Sequence, residues 1–311
     1  MLALLLTRAT TAAAAVAVSP LSSNAGPPRG WNSYDAFTWT VNETQFLENC
    51  AAAASLLGGH GFEYCVVDFL WFQCDWRYNP GCDVDDPSWL VDQFGRPQPD
   101  PLRWPSAAAG AGFRPVSDKV HEMGMKFGIH IMVGTSTAAL NKTVKGTSYL
   151  VSEVTGNDDC PWPSHGHNPH CTCNWQAKSL DINVSHPGGR AYYDSLYEQY
   201  LGLWNVDFIK NDCVFGVDFR PAQVKYQSSL IRGADHPVLY SLSPGGSEYI
   251  YLSRRHRAHA ARVYYTCQVF GQITDYGCAW CLLSPEMGAT VRFDITGQRA
   301  RAPRGFVPDG E

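Results

Sequence analysis

A lysine and an aspartate two residues apart close one β-rich run of this chain, residues 206–212. Alternate residues of a strand point to the same face, so Lys210 and Asp212 are expected to share one pocket. A cation beside a carboxylate keeps the carboxylate ionised, as a nucleophile must be. The same pair can also be a surface salt bridge, and the other strand ends decide between the two interpretations.

Five β-rich runs alternate with three helical patterns. The predicted strands are residues 30–33, 64–69, 125–132, 206–212 and 238–241, and the predicted helices are residues 43–57, 115–123 and 190–203. Apolar strands that alternate with helices predict a parallel sheet covered by helices. Such a sheet either closes into an eight-stranded barrel or stays open and doubly wound. No glycine-rich phosphate loop follows the first strand to favour the doubly wound form.

Polar residues stand at the carboxyl ends of the predicted strands. They are Asp68, His130, Lys210, Asp212 and Ser243. Barrel enzymes collect their active-site residues at that end of the strands. A single polar residue there is more often without function, but five in comparable positions favour an active site.

The composition limits the classes of function. The chain has 311 residues, of which 45% are hydrophobic, enough for one large core or for two smaller domains. Its net charge of -5 provides no basic surface for nucleic acid. No long apolar run follows the first residues, so no membrane contact is expected.

Three features predict export. Residues 1–25 are predicted to be a secretory signal, although Arg8 interrupts the apolar run. Glycosylation sequons begin at Asn42, Asn141 and Asn183. Eleven cysteines suit an oxidising compartment, and their odd number leaves at least one unpaired. We therefore expect a secreted or secretory-pathway protein, located outside the cell, in the cell wall, or in a vacuole or lysosome.

Five segments carry a resemblance to a known family: residues 27–37, 61–68, 126–130, 207–212 and 240–241. In order, they resemble the barrel of the melibiase-type α-galactosidases, glycoside hydrolase family 27, and most closely its plant-like branch. The resemblance covers about residues 26–246 and implies an α/β fold of the (β/α)8 TIM-barrel type. It also implies a retaining exoglycosidase that cleaves terminal α-galactosyl groups from oligosaccharides and glycoconjugates. No metal or organic cofactor is expected, because carboxylates can serve as acid, base and nucleophile.

The resemblance also implies roles for individual residues. Asp212 would be the nucleophile that attacks the anomeric carbon, and Lys210 would bind a sugar hydroxyl and help to keep Asp212 ionised. A second carboxylate about 5–5.5 Å away is needed as acid and then base.

Four further residues would bind the sugar. Asp68 would accept hydrogen bonds from hydroxyl groups, and His130 occupies a position where many relatives carry tyrosine. Trp31 and Tyr34 would offer flat apolar surface to the sugar ring, while simple core packing is an equally good expectation for Trp31.

Two departures from the family pattern leave the sugar open. Phe69 follows Asp68 where most relatives have a second acid, and Ser243 stands where many galactosidases have a glutamate. Because specificity depends on satisfying buried polar groups, galactose is the first expectation. An arabinopyranoside and an N-acetylgalactosaminide are the alternatives.

The family pattern breaks off after about residue 246. The expected R-x-T-x-D-D motif, the last barrel strands and the C-terminal β-sandwich are not visible in residues 247–311, so the barrel is expected to be incomplete. Asp275 lies in a partial echo of the motif and is the candidate acid. An Ala/Arg/Gly/Pro-rich composition indicates a shifted reading frame or a genuine divergent tail, and we favour the first.

Cysteines and histidines cluster in residues 160–173. Zinc binding is one interpretation, but a disulfide-stapled loop over the sugar site is favoured in an exported chain. Cys74 and Cys82 are expected to staple the loop after the second strand. The resemblance suggests that Cys213 pairs with a cysteine of the 160s loop.

Two functions follow from the sequence. The first is a retaining exo-α-galactosidase with Asp212 as nucleophile and Asp275 as acid. The second is a sugar-binding remnant or truncated product without catalytic activity, which would keep the Asp68 contacts but lack the acid.

Overall fold

The computed structural model describes residues 28–156, 173, 175–214 and 220–243. A five-stranded sheet forms its centre. Its strands, numbered in chain order together with two short strands outside the sheet, are β1 (Arg29–Asn32), β2 (Phe62–Val67), β3 (Lys126–Met132), β6 (Phe208–Asp212) and β7 (Leu239–Leu242). All four neighbouring pairs are parallel.

The spatial order of the strands is β1-β2-β3-β6-β7. This order follows the chain without the reversal that marks a doubly wound sheet, so the described part is a parallel half-barrel. β4 (Thr135–Ser136) and β5 (Ser179–Leu180) form a separate antiparallel ribbon. The sequence does not predict this ribbon, because two-residue strands carry no periodicity.

Helices connect the strands and cover one face of the sheet. They are α1 (Tyr34–Phe37), α2 (Glu43–Leu57), α3 (Arg114–Glu122), α4 (Val151–Val154), α5 (Pro187–Tyr197) and α6 (Pro221–Arg232). Short 3-10 turns span Gly58–His60, Pro105–Gly110 and Thr137–Ala139, and a π-helical turn, Glu198–Leu203, continues α5. None of the helices described is long and apolar enough to span a bilayer.

α2 illustrates how local sequence sets an element. Asn42 accepts a hydrogen bond from the backbone of Gln45 at 2.9 Å, and the Gln45 side chain accepts one from the backbone of Asn42 at 3.1 Å. This capping box fixes the start of the helix. Phe46 and Cys50 are fully buried, and a disulfide joins Cys50 to Cys65 of β2.

The inward face of the sheet is packed with apolar groups below its carboxyl edge. Val66 and Phe208 are fully buried and form one cluster. Gly128 of β3 lies between them, and a Cβ atom there would stand 2.9 Å from side-chain atoms of both. Glycine therefore allows Val66 and Phe208 to pack closely across β3. Asp68 and Lys210 lie two residues beyond them, on the same face of the sheet.

A buried polar network lies on the opposite face, behind β6. Asn211 donates hydrogen bonds to Gln227 of α6 at 3.0 Å and to the Tyr240 hydroxyl at 2.7 Å. The Tyr197 hydroxyl of α5 donates to the same Gln227 oxygen at 2.8 Å. Two helices are thereby bonded to the strand that carries Lys210 and Asp212.

The predicted α/β elements are confirmed, with bounds that differ by a few residues. The predicted helix 43–57 has the observed limits. The predicted helix 190–203 begins earlier, at Pro187, and its last turn is π-helical. The predicted signal, residues 1–25, and the predicted tail, 247–311, lie outside the described residues.

Candidate active site

Asp212 ends β6 and is held by two hydrogen bonds. Its Oδ2 lies 3.2 Å from Nε2 of His130, and its Oδ1 accepts the backbone N–H of Cys213 at 2.7 Å. Cys213 has a φ of +59°, a left-handed conformation that is uncommon for a residue with a side chain. The turn aims the N–H back at the carboxylate. The two hydrogen bonds orient the carboxylate, and 13% of the Asp212 side chain remains exposed to solvent.

The surroundings of Asp212 favour its ionised form. Burial acts to raise the pKa of Asp212, but several contacts outweigh it and hold this pKa below the ordinary aspartate value. The largest are the hydrogen bond and charge that His130 contributes, followed by the charge of Lys210 and the Cys213 N–H. An ionised, oriented carboxylate is suited to nucleophilic attack.

Asp68 and Lys210 form a buried ion pair beside Asp212. Lys210 Nζ lies 3.0 Å from Asp68 Oδ2, and the two side chains are 3% and 1% exposed. Asn32 Nδ2 donates to the same oxygen at 2.6 Å, and the Phe69 N–H donates to Asp68 Oδ1 at 2.7 Å. Burial raises the pKa of Asp68, but Lys210 foremost, then His130 and these two donors, lower it to about 2.

Lys210 and Asp212 each contact another of the polar residues at this edge of the sheet. Lys210 pairs with Asp68, and Asp212 contacts His130. The strand register explains this arrangement, because His130 of β3 stands opposite Lys210 and Met132 opposite Asp212. Lys210 still lowers the pKa of Asp212 through its charge.

His130 is fully buried at the centre of the group. Its backbone oxygen accepts a hydrogen bond from the indole N–H of Trp71 at 2.7 Å. The Phe69 ring meets the imidazole edge to face, with 5.4 Å between centroids. Nδ1 has no hydrogen-bond partner among the described residues. The contact of the ring with Phe69 and the contact of Nε2 with Asp212 orient the imidazole.

The two aromatic residues expected to line the sugar site differ in placement. Tyr34, at the start of α1, is half-buried, and its ring centroid lies 5.8 Å from Lys210 Nζ. Trp31 is buried in the core and packs against Phe37 and Phe46, at centroid distances of 6.2 and 5.8 Å. These contacts belong to the packing role, which was one of the two expectations for Trp31. Contact between Trp31 and a sugar stays a prediction.

Ser243 follows β7 at the same edge of the sheet. Its backbone N–H donates to the Asn211 oxygen at 2.9 Å, which extends the strand register to Asp212. The candidate acid Asp275 lies outside the described residues.

Three residues near the site were not assigned from the sequence. Asn32 binds Asp68, and the Ser33 hydroxyl accepts the Asp68 N–H at 2.9 Å. Asn32 directly follows Trp31, so strand alternation could have identified it. Trp175 lies with its ring centroid 5.7 Å from that of Phe69. No local pattern marks Trp175, because a loop places it there.

Disulfides shape the loops around this edge. The expected Cys74–Cys82 bond is present, and Cys213 bonds to Cys173, the last cysteine of the 160–173 cluster. Within the described part of the chain, no group of three or more His, Cys, Asp or Glu residues could hold a metal ion. The rest of the cluster lies outside the described residues. Three disulfides are typical of proteins of the secretory pathway.

Known proteins resemble this chain in sequence and in fold, although no family model matches it. A candidate α-galactosidase B from Aspergillus clavatus is 32% identical over 233 residues, which cover 71% of this chain and 44% of the relative. The chain therefore spans less than half the length of this curated relative.

Two solved structures resemble the half-barrel. A candidate α-N-acetylgalactosaminidase from Bacillus halodurans has a TM-score of 0.62 and 31% identity, over 76% of this chain and 53% of that chain. A family 27 β-L-arabinopyranosidase from Geobacillus stearothermophilus has a TM-score of 0.59 and 32% identity, over 71% and 48%. With the ordered motifs and the buried carboxylates at the sheet edge, these similarities establish that the chain belongs to glycoside hydrolase family 27, the melibiase-type family.

Proposed function

We propose that this chain carries the sugar-binding face of a retaining exoglycosidase that acts on terminal α-galactosyl groups or close relatives. The observation that carries the proposal is the state of Asp212. Its carboxylate lies at the carboxyl edge of the sheet, is oriented by His130 and by the Cys213 N–H, and keeps 13% of its side chain exposed. The surroundings hold the pKa of Asp212 below the ordinary aspartate value.

The proposed reaction has two steps. Asp212 attacks the anomeric carbon, the bond to the leaving oxygen breaks, and that oxygen receives a proton from an acid. Water then attacks the glycosyl ester, gives its proton to the same group, and releases Asp212. Asp275 is proposed as the acid and base. The two hydrogen bonds to Asp212 keep one carboxylate orientation ready, which reduces the entropy lost in the first step.

The Asp68–Lys210 pair is proposed to bind sugar hydroxyls. An ammonium group has three donors, and a carboxylate can accept several hydrogen bonds, so each partner can serve a hydroxyl in addition to the other. Charge-assisted bonds of this kind are about twice as strong as neutral ones. Tyr34 would cover one face of the ring.

The identity of the sugar depends on the residues around this pair. Phe69 supplies an apolar edge next to Asp68, and Ser243 is small. Galactose remains the first proposal, with N-acetylgalactosamine and β-L-arabinopyranose as alternatives because the two solved relatives carry those names. The aryl glycosides of the three sugars can be compared as substrates, and their kcat/KM values would rank the sugars.

The remaining architecture is also a proposal. Residues 26–246 would form the barrel part of the enzyme, as a segment of an eight-stranded (β/α)8 barrel. Residues 1–25 would be a signal for export, and 247–311 a separate tail.

Covalent trapping tests the proposed nucleophile. The chain is incubated with a fluorinated α-galactosyl fluoride, whose leaving group needs little acid assistance, and its peptides are analysed by mass spectrometry. A glycosyl adduct on the peptide that contains Asp212 is expected, and it should disappear in Asp212→Asn.

The matched control is Asp118→Asn, which changes an exposed aspartate whose partner is Arg114 on α3. It should label like the unmodified chain. Binding of galactose without labelling would reject the hydrolase and favour a sugar-binding protein without catalytic activity. An adduct on a different carboxylate would reject the assignment of Asp212.

A further inference from the structure

An aromatic line runs from solvent to the proposed nucleophile. Trp175 is 52% exposed, and its ring centroid lies 5.7 Å from that of Phe69. The Phe69 ring lies 5.4 Å from the His130 ring, and His130 contacts Asp212 at 3.2 Å. Trp175 therefore marks the solvent end of a continuous row of side chains that begins at the reacting carboxylate.

Covalent and hydrogen bonds tie Trp175 to that edge. Cys173, two residues earlier, is bonded to Cys213, which directly follows Asp212. On the other side of Trp175, Gln176 donates its N–H to the Cys173 oxygen at 3.3 Å, and the Ser179 N–H donates to the Gln176 oxygen at 2.9 Å. The position of the indole is thus coupled to the end of β6.

A half-exposed indole that is held in place is suited to bind a ligand with a flat apolar face. Tryptophan has the largest apolar side chain, and leaving half of it in water forgoes burial that would stabilise the fold. Sugar rings present an apolar face of C–H groups, and aryl groups present a flat ring. Either can cover the indole and still leave its N–H free to donate to a hydroxyl.

We propose that Trp175 binds the leaving group of the substrate, the sugar or aryl unit attached to the terminal residue. This assignment rests on the proposed function, because Asp212 must hold the anomeric carbon. The scissile bond then points away from Asp212, toward solvent, since the carboxylate attacks from the opposite side. Asp68, His130 and Lys210 are almost completely buried, so the unit beyond the bond leaves the pocket across the exposed aromatic row.

Two substrates that differ only in the leaving group test whether Trp175 binds that group. An α-galactosyl fluoride has no ring in its leaving group, whereas an aryl α-galactoside has one. In Trp175→Ala, kcat/KM for the aryl substrate is expected to fall about 3- to 10-fold, the range of one aromatic contact. The value for the fluoride, and inhibition by free galactose, should not change. Trp175→Phe should recover most of the loss.

Trp76 provides a matched control, because it is 51% exposed in the neighbouring loop stapled by Cys74 and Cys82. Trp76→Ala should leave both substrates unaffected. An equal loss for fluoride and aryl galactoside in Trp175→Ala would overturn the assignment, as would an equal effect in Trp76→Ala. If the unmodified chain hydrolysed neither substrate, the proposed function would fail first, and this assignment with it.

Discussion

Replacing Lys210 by methionine tests the electrostatics of the site most directly. The change removes the cation 3.0 Å from Asp68 and leaves a carboxylate whose side chain is 1% exposed. Breaking one side of a buried pair costs about 3–5 kcal/mol, because the remaining charge stays desolvated. Lys126→Met is the matched control, since Lys126 pairs with Glu63 while both side chains are about half exposed. That change should cost at most about 1 kcal/mol.

The same pair predicts how stability depends on pH. The pKa of folded Asp68 is about 2, below the value of roughly 4 for an unfolded chain. A lowered folded pKa contributes stability above pH 4, and this contribution is lost as the pH falls toward 2. The shift corresponds to about 2.5 kcal/mol. The difference between Lys210→Met and the unmodified chain should therefore be largest near neutral pH and shrink below pH 4.

Urea denaturation of these variants measures the free energy of unfolding. Adding Asp68→Asn to Lys210→Met should recover part of the loss, because an amide in place of the carboxylate removes the buried charge. If Lys210→Met cost no more than Lys126→Met, or if the second substitution made matters worse, the Asp68–Lys210 pair would not be the dominant electrostatic contact of the site.

Three further outcomes are expected. Serine replacement of the Cys173–Cys213 disulfide should lower the free energy of unfolding by about 1.4 kcal/mol more than replacement of Cys74–Cys82, because loop-closure entropy follows the logarithm of the separations, 40 and 8 residues. Equal costs in urea denaturation would contradict this. Gln227→Leu should cost about 2–3 kcal/mol, since two buried donors lose their acceptor, and a loss under 0.5 kcal/mol would place the network outside the stabilising core. Finally, burial raises the pKa of the tyrosines of α5, so an alkaline absorbance titration should show a step that coincides with unfolding. Ionisation of all tyrosines near pH 10 in the folded chain would refute it.

The elements that could be predicted are those whose sequence repeats a physical pattern. The helix Glu43–Leu57 combines a capping box with apolar residues at helical spacing, so its limits follow from local chemistry. The long connection between β2 and α3 carries no such pattern. Buried Arg103 helps to hold it by donating to the backbone oxygens of Trp39 and Leu70 at 2.9 and 2.8 Å. Contacts between distant segments decide its path, and periodicity does not encode them.

Partner choice within the site also depended on tertiary structure. Strand alternation predicts that Lys210 and Asp212 lie on one face. It does not say which strands lie beside β6. Only the adjacency of β3 brings His130 against Asp212, and the site residues from β1 and β2 then gather around Asp68. The sequence identifies the candidate residues of a site, whereas the order of the strands determines which of their charged side chains are in contact.

The opening motif of the barrel shows how far alternation alone can lead. Asn32 faces inward, because it donates to Asp68, so Trp31 must face the helices, as its contact with Phe46 shows. Tyr34 lies beyond the end of the strand, where the alternation no longer applies, and its ring lies near Lys210. One short segment thus supplies a buried core residue, Trp31, a hydrogen-bond donor to Asp68, Asn32, and an aromatic ring beside Lys210, Tyr34. Replacing Trp31 should therefore affect stability first, whereas replacing Tyr34 should affect sugar binding first.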